Sequence, residues 1–191
     1  MNFVRRILVA LPLLAVFAAP AFSDEYADAI DVFKKAGESA SFFGKSYGYA
    51  VFPSIGKAGL GIGGAHGSGR VYQGGAYVGD TSMSQLTIGL QAGGQAYRQM
   101  IFFENKESFD KFTNGNFEFG AQATAVAITA AASASTSTAG SGTSASSSSE
   151  NAKAKSGYQN GMAVFTVAKG GLMYEATLGG QKYKYKPNKP K

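Results

Sequence analysis

The chain has 191 residues, including 26 glycines, one histidine and no cysteine, and its 18 basic and 12 acidic side chains give a net charge of +6. Without cysteine it can form neither a disulfide nor a thiolate metal site. The small positive balance falls short of a nucleic-acid-binding footprint, which concentrates basic charge on one face. The length fits a single domain with a substantial hydrophobic core.

Residues 1–23 have the three parts of a secretory signal peptide. A pair of arginines precedes an apolar run at residues 7–19, and small residues ending at Ser23 provide a cleavage site. The run is shorter than the roughly 20 residues of a membrane-spanning helix, and its retention as an anchor is the open alternative. Cleavage removes two basic residues and no acid, which lowers the net charge to +4. We therefore predict an exported, periplasmic protein.

Residues 24–43 are predicted to form an N-terminal amphipathic helix. Apolar or small side chains recur at spacings of three and four, as one buried helix face requires. These positions are Tyr26, Ile30, Phe33, Gly37 and Ala40. Gly37 costs about 1 kcal/mol relative to alanine inside a helix. The helix therefore needs tertiary packing or a membrane to hold it.

From Tyr47 onward the apolar period changes from helical spacing to alternation, which is typical of strands. The first run ends at Pro53, and glycine pairs indicate turns or bulges between later runs. Strands are predicted at residues 47–52, 58–65, 69–78, 84–92, 95–104, 116–132, 161–168, 172–178 and 181–186. A short helix is predicted at 106–113, with Asn105 as its N-cap. The fold class is α+β, mainly antiparallel sheet curled into a barrel-like core.

A stretch of low complexity interrupts this pattern. Residues 129–149 contain only Ala, Ser, Thr and Gly. Most of it cannot bury enough apolar surface to offset the entropy of ordering. We predict a flexible loop at about residues 133–152 inside one domain that spans residues 24–191.

Two motifs resemble catalytic or nucleotide-binding signatures and do not meet the conditions for either. Residues 59–64 match G-x-G-x-x-G, and Asp80 follows 21 residues after Gly59. A dinucleotide site requires this motif to open a helix, whereas here the alternation continues. His66 is the only histidine and has no acid within a dozen residues, so it predicts a polar turn residue rather than a metal ligand. We predict no enzyme activity, no metal and no cofactor.

The C-terminal run KYKYK at residues 182–186 alternates strictly. As a strand it places three lysines on one face and two tyrosines on the other. The lysines either meet lipid phosphates or protect an edge strand from aggregation. Edge protection is the more common use of such residues, and we favour it here.

Several blocks resemble the SYLF domain family. The most specific covers residues 50–59 (AVFPSIGKAG) and 63–69 (GGAHGSG). Residues 89–95 (GLQAGGQ) are similar to the family's glycine–glutamine strand. Residues 109–119 and 158–168 resemble its short helix with the following turn and its late glycine-led strand.

The resemblance implies a β-rich domain flanked by helices that binds phospholipid. Eukaryotic members prefer phosphoinositides, and some also bind actin. Because the signal peptide predicts export from a bacterial cell, we expect an anionic phospholipid surface as the partner, and neither actin nor nucleic acid.

The leading hypothesis is non-catalytic, peripheral binding of anionic phospholipid in the bacterial cell envelope. The predicted contact residues are Lys34, Lys35, Phe42, Phe43, Lys45, Lys57 and Arg70. The two phenylalanines are either a membrane wedge or the anchor that docks the helix on the sheet. The alternative function is an envelope protein-interaction or structural module, whose glycine-faced strands pack against a partner chain.

Overall fold

The chain is seen in a computed structural model that describes residues 24–120, 123, 125–128, 157–169 and 178–188. The predicted signal peptide at 1–23 and the predicted loop at 133–152 lie outside the described residues. So does the predicted strand at 172–178, except for its last residue.

The described part is mostly β-sheet with few helices, as predicted. In chain order the elements are α1 (Glu25–Lys35), α2 (Gly37–Ala40), β1 (Gly48–Gln73), β2 (Ala76–Phe103), α3 (Lys106–Thr113), β3 (Asn116–Glu118), β4 (Val126–Ile128), β5 (Met162–Lys169) and β6 (Lys182–Pro187). The strand order is β3-β6-β2-β5-β4, and β1 pairs with β2 outside this path. All pairings are antiparallel except that of β4 with β5.

The five strands predicted between residues 47 and 104 are two long strands of one hairpin. The chain reverses at Gly74 and Gly75, where φ is 55° and 84°, as a two-residue hairpin turn requires. The predicted stop at Pro53 is wrong, because β1 continues through it with a register shift between Phe52 and Ile55. Bulges let a strand bend without ending, which is why these local signals resembled termini.

The hairpin curls until its own ends meet. A Cβ atom built on Gly67 would lie 2.6 Å from Cγ1 of Ile55, so the later half of β1 rests against its earlier half. The backbone N–H of Gly74 donates to the carbonyl of Tyr47 at 3.4 Å. Among the described strands the pairing does not join β3 to β4. The sheet is strongly bent, and its closure into a barrel-like core stays a prediction.

The predicted helix at 24–43 is shorter and broken. Asp24 caps α1 by accepting a hydrogen bond from the N–H of Tyr26, and the helix ends where Ala36 is extended (φ −82°, ψ 119°). Gly37 then begins the four-residue α2. The predicted α3 is confirmed over residues 106–113, with Asn105 and Ser108 forming a capping box.

The sheet buries apolar residues on both faces. The inner cluster lies within the curl and includes residues of β1, β2, β5, β6 and α3, such as Phe52, Ile101 and Tyr183. The outer cluster lies between the sheet and α1 and includes Phe33 and Phe165. Helix α1 therefore covers one half of the outer face, the half near the open end of the hairpin, where Gly48 pairs with Phe103.

A polar network lies inside the inner cluster. The amide Nε2 of Gln99 donates to the hydroxyl of Tyr183 at 2.6 Å and to Oε1 of Gln181 at 3.2 Å. The Tyr183 hydroxyl donates to Oε1 of Gln181, whose Nε2 donates to the hydroxyl of Tyr97 at 3.3 Å. These side chains are at most 4% exposed. The network therefore ties β6 to β2 through hydrogen bonds that water cannot replace.

Tyr183→Phe is expected to lower the free energy of unfolding by about 2–3 kcal/mol, because it removes the 2.6 Å acceptor of one buried N–H of Gln99 and one of the two donors to Oε1 of Gln181. Tyr185→Phe is the matched control. Its hydroxyl donates only to the carbonyl of Val78, at 2.9 Å and half-buried, so about 1 kcal/mol is expected. Urea unfolding monitored by circular dichroism measures both, and equal losses would contradict the role of the network.

The same residues predict sensitivity to alkali. Burial raises the pKa of both Tyr97 and Tyr183 above the ordinary tyrosine value of 10.0. A raised folded-state pKa means that the stabilisation is complete below pH 10 and is lost as pH rises further. We expect the unfolding free energy to fall above pH 10, and to fall less steeply in Tyr97→Phe. Urea titrations at pH 8 and at several values above pH 10 test this, and identical pH slopes for the two proteins would refute it.

Candidate functional site

Three of the predicted contact lysines lie at the C-terminal end of α1 and in the turn that follows α2. Lys34 and Lys35 occupy the last turn of α1, and Lys45 precedes β1. All three are exposed, and within the described residues none forms an ion pair. We refer to Lys34, Lys35 and Lys45 as the helix-end surface. Its charge is available to an anionic partner.

Phe42 and Phe43 connect this surface to the sheet. The ring of Phe42 lies 5.4 Å from that of Phe102 and 5.1 Å from that of Phe165. The ring of Phe43 lies 4.9 Å from that of Phe102, and Nζ of Lys34 lies 5.7 Å above it. Both phenylalanines are half-buried. Insertion of either ring into a bilayer would break these contacts, so the geometry favours the anchoring alternative.

Arg70 lies at the opposite end of α1, whose 11 residues span about 16 Å at about 1.5 Å per residue. Its guanidinium bonds the Asp24 carboxylate at 3.0 Å and stacks over the ring of Tyr26 at 4.0 Å. The charge of Arg70 is thus balanced locally, and its side chain fastens the start of α1 to β1.

Tyr77 and Asp80 extend this cluster onto β2. The Tyr77 hydroxyl donates to the Asp80 carboxylate at 2.7 Å, and this hydrogen bond, with a smaller effect of burial, raises the pKa of Tyr77 to about 12. Asp80 pairs with Arg70 across the strands. Sequence reasoning missed the cluster, because its members meet only through the hairpin register and the docking of α1.

Lys57 lies apart from the other predicted residues. It follows Ile55 by two positions, which places it on the same strand face as that inward-facing side chain, and it is half-buried. The seven predicted residues therefore occupy three separate places. The structure brings Lys34, Lys35, Lys45 and the two phenylalanines together and leaves Lys57 and Arg70 elsewhere.

The rejected motifs lie on strands. Residues 59–64 continue β1 instead of opening a helix, as the sequence predicted. His66 is exposed in the middle of β1 opposite Ser84, so the predicted turn position is wrong. No group of three or more histidine, aspartate or glutamate side chains that could hold a metal occurs among the described residues. None of the described helices is long and apolar enough to cross a membrane.

A cavity of about 460 Å³ opens between α3, β3 and β5. Its walls are mainly apolar, with charged and amide side chains among them. Lining residues include Lys111, Phe117, Glu118, Phe119, Gln159, Met162, Val164 and Leu178. Pockets of this size and lining accept small apolar groups. The sequence did not predict this cavity, because its walls come from segments that lie far apart along the chain.

These features describe a small, mainly β domain built on one curled hairpin, with a helix docked on its outer face. Residues 84–188, more than half of the chain, match the family model Ysc84, described as Las17-binding protein actin regulator. The chain belongs to this family, which confirms the SYLF assignment made from the sequence. The match includes the blocks at 89–95, 109–119 and 158–168 but not residues 50–69. No curated protein matches the chain.

Arg70→Gln is expected to loosen α1, because it removes both the ion pair with Asp24 and the stacking on Tyr26. These two contacts together contribute about 1–2 kcal/mol, so amide hydrogens of α1 should exchange about five- to thirtyfold faster. Hydrogen exchange measured by mass spectrometry reports this directly. Lys111→Gln is the control, since it removes the exposed ion pair with Glu107 on α3. Unchanged exchange in α1 of Arg70→Gln would show that Arg70 does not fasten the helix.

Proposed function

We propose that this protein binds anionic phospholipid surfaces peripherally, without catalysis, in the bacterial cell envelope. Membership of its family indicates a lipid-binding or actin-related function in broad terms. The helix-end surface carries the finer proposal, because its three lysines are exposed and have no acidic partner within the described residues. The predicted export favours lipid over actin, since actin is not expected outside a bacterial cytoplasm.

The charge of α1 restricts where an anionic surface can approach. Glu25 and Asp28 lie in its first turn, whereas Lys34 and Lys35 lie in its last. A bilayer that met the whole exposed side of the helix would meet both signs of charge. Contact through the C-terminal end and the turn at Lys45 avoids Glu25 and Asp28. It meets three lysines against the two exposed acids Asp31 and Glu38, and this positive balance supports the helix-end surface as the point of approach.

Magnitudes show what these lysines can supply. Each lysine beside an anionic bilayer contributes about 1 kcal/mol, so the helix-end surface contributes about 3 kcal/mol. That corresponds to an affinity weaker than about 1 mM. Charge alone gives salt-sensitive association, and firm binding needs apolar contact in addition.

The inner glycine face of β1 at Gly67 and Gly69 is not available to a partner chain, which weakens the alternative function there. A Cβ atom on Gly67 or Gly69 would lie 2.6–2.7 Å from side-chain atoms of Ile55 and Phe52. The protein's own core therefore fills the space that these two glycines leave.

Wild-type protein should pellet with vesicles containing phosphatidylglycerol or cardiolipin, and less with phosphatidylcholine vesicles. Lys34→Gln/Lys35→Gln/Lys45→Gln should lower binding at low salt by roughly a hundredfold, at about fivefold for each lysine. Lys106→Gln/Lys111→Gln is the control, because both of its lysines are already paired with acids on α3. Equal recovery of the wild-type protein with anionic and neutral vesicles would end the proposal.

A further inference from the structure

Two exposed apolar side chains lie together on the outer sheet face. Ile62 of β1 and Leu86 of β2 are 69% and 73% exposed. Leu86 pairs with Gly64, two residues from Ile62, so both side chains lie on one face as diagonal neighbours. A Cβ atom built on Gly64 would have only the carbonyl oxygen of Gln85 within 4 Å, at 3.5 Å. The residue opposite Leu86 therefore provides no side chain to cover it.

This pair lies beyond the part of the sheet that other elements cover. Helix α1 packs on the far half of the outer face. Strand β6 pairs with β2 only from Gly79 to Ser84, and β5 begins its pairing at Ala96. Within the described residues, no strand pairs with the edge of β2 that faces away from β1 between Ser84 and Ala96. Ile62 and Leu86 therefore project from the part of the hairpin that neither β5 nor β6 extends.

The lysines of β6 flank the pair on the same face. Lys182 pairs with Ser84 and Lys184 with Ser82, which have the same strand parity as Leu86. These lysines are exposed, while Tyr183 between them is buried on the inner side. We refer to Ile62, Leu86, Lys182, Lys184 and Lys186 as the outer-face patch. It combines two projecting apolar side chains with lysines at every second residue of β6.

Edge protection does not explain these lysines. Strand β6 has β2 on one side and β3 on the other, since Lys184 also pairs with Asn116. The part of β6 that carries Lys182 and Lys184 is therefore an inner strand of the sheet. The preference for edge protection drawn from the sequence is wrong for this segment.

The net charge of the patch is small. Nζ of Lys182 lies 3.7 Å from the carboxylate of Glu118, and Lys186 pairs across the strands with Asp80. The exposed ion pair of Lys182 with Glu118 is weak and exchanges readily for other anions, and Asp80 is only the strand neighbour of Lys186. The apolar pair must therefore supply most of any binding, and the lysines orient it.

A bilayer surface fits this patch better than a protein partner does. Protein interfaces are depleted of lysine relative to the rest of the surface. A membrane accepts both groups, because apolar side chains enter the headgroup–acyl boundary while lysine stems extend and their ammonium groups reach phosphates. A second copy of this chain would instead bring like-charged lysine rows together.

We propose that the outer-face patch is the membrane-docking surface of this protein, with Ile62 and Leu86 entering the acyl boundary and the β6 lysines contacting lipid phosphates. This inference rests on the proposed lipid binding and adds the apolar contact that the helix-end surface lacks. Binding through the patch retains a component that high salt does not remove.

The chain contains no tryptophan, so a single introduced one reports its own surroundings. Leu86→Trp places the reporter in the patch. Glu107→Trp is the control on α3, which packs on the inner side of the sheet through Phe112 and Tyr183 at 5.2 Å. With phosphatidylglycerol vesicles we expect a blue shift and quenching by brominated lipid for Leu86→Trp and neither for Glu107→Trp.

Ile62→Ser/Leu86→Ser should lower vesicle binding by about tenfold or more, and the loss should persist at high salt. Both side chains are exposed, so the thermal midpoint should not change. If wild-type protein binds anionic vesicles while Leu86→Trp stays unquenched, or while the double variant binds as well as wild type, the patch is refuted and the proposed function stands. If wild type does not bind, the proposed function itself is refuted. A blue shift of Leu86→Trp that rises with protein concentration without vesicles would assign the patch to self-association and refute membrane docking.

Discussion

The close approach of β1 to itself is the constraint on which the rest of the structure depends. A methyl group at Gly69 would lie 2.7 Å from ring carbons of Phe52 and 2.8 Å from the carbonyl oxygen of Val51. Only a residue without a side chain permits this approach. The approach folds a 26-residue strand into two layers and encloses the inner cluster with few other elements. These glycines therefore serve packing, because they let one long strand fold back on itself.

The outer face of the curled hairpin has two halves with different surroundings. One half is buried under α1, where Ala29 and Phe33 are completely inaccessible, and Arg70 fastens the start of the helix. Burial of a side chain such as Phe33 contributes about 1.5–3 kcal/mol, which exceeds the cost of Gly37 beside the helix break. The other half has no helix in the described part of the chain and exposes Ile62 and Leu86 beside polar residues such as His66 and Ser84. Packing on one half thus leaves the second half available for a partner.

The sequence predicted local features well and long-range placement poorly. The helix α3 with its Asn105 cap, and β6 with its lysines on one face, follow from patterns within a few residues. Pro53 and the internal glycine pairs resembled strand ends because a bend and a terminus use the same residues. The site was harder to predict, since Lys57 and Arg70 are separated from Lys34 by strand parity and helix length. One usable signal was present. Counting outward from the Gly74-Gly75 turn places Leu86 opposite Gly63, so a glycine opposite Leu86 could be predicted. The register shift between Val71 and Tyr72, which makes the partner Gly64, could not.

Charge and apolar contact have different physical limits, and this explains why a basic helix end does not suffice for membrane attachment. An attraction that rests on a few lysines weakens as salt screens it over about 8 Å at physiological ionic strength. Apolar burial is indifferent to screening, but it acts only after contact is made. A surface that has to hold a membrane needs both kinds of contact in one place. In the described chain only the outer-face patch places large exposed apolar side chains beside lysines, because the hairpin register puts Ile62 and Leu86 on the same face as Lys182 and Lys184.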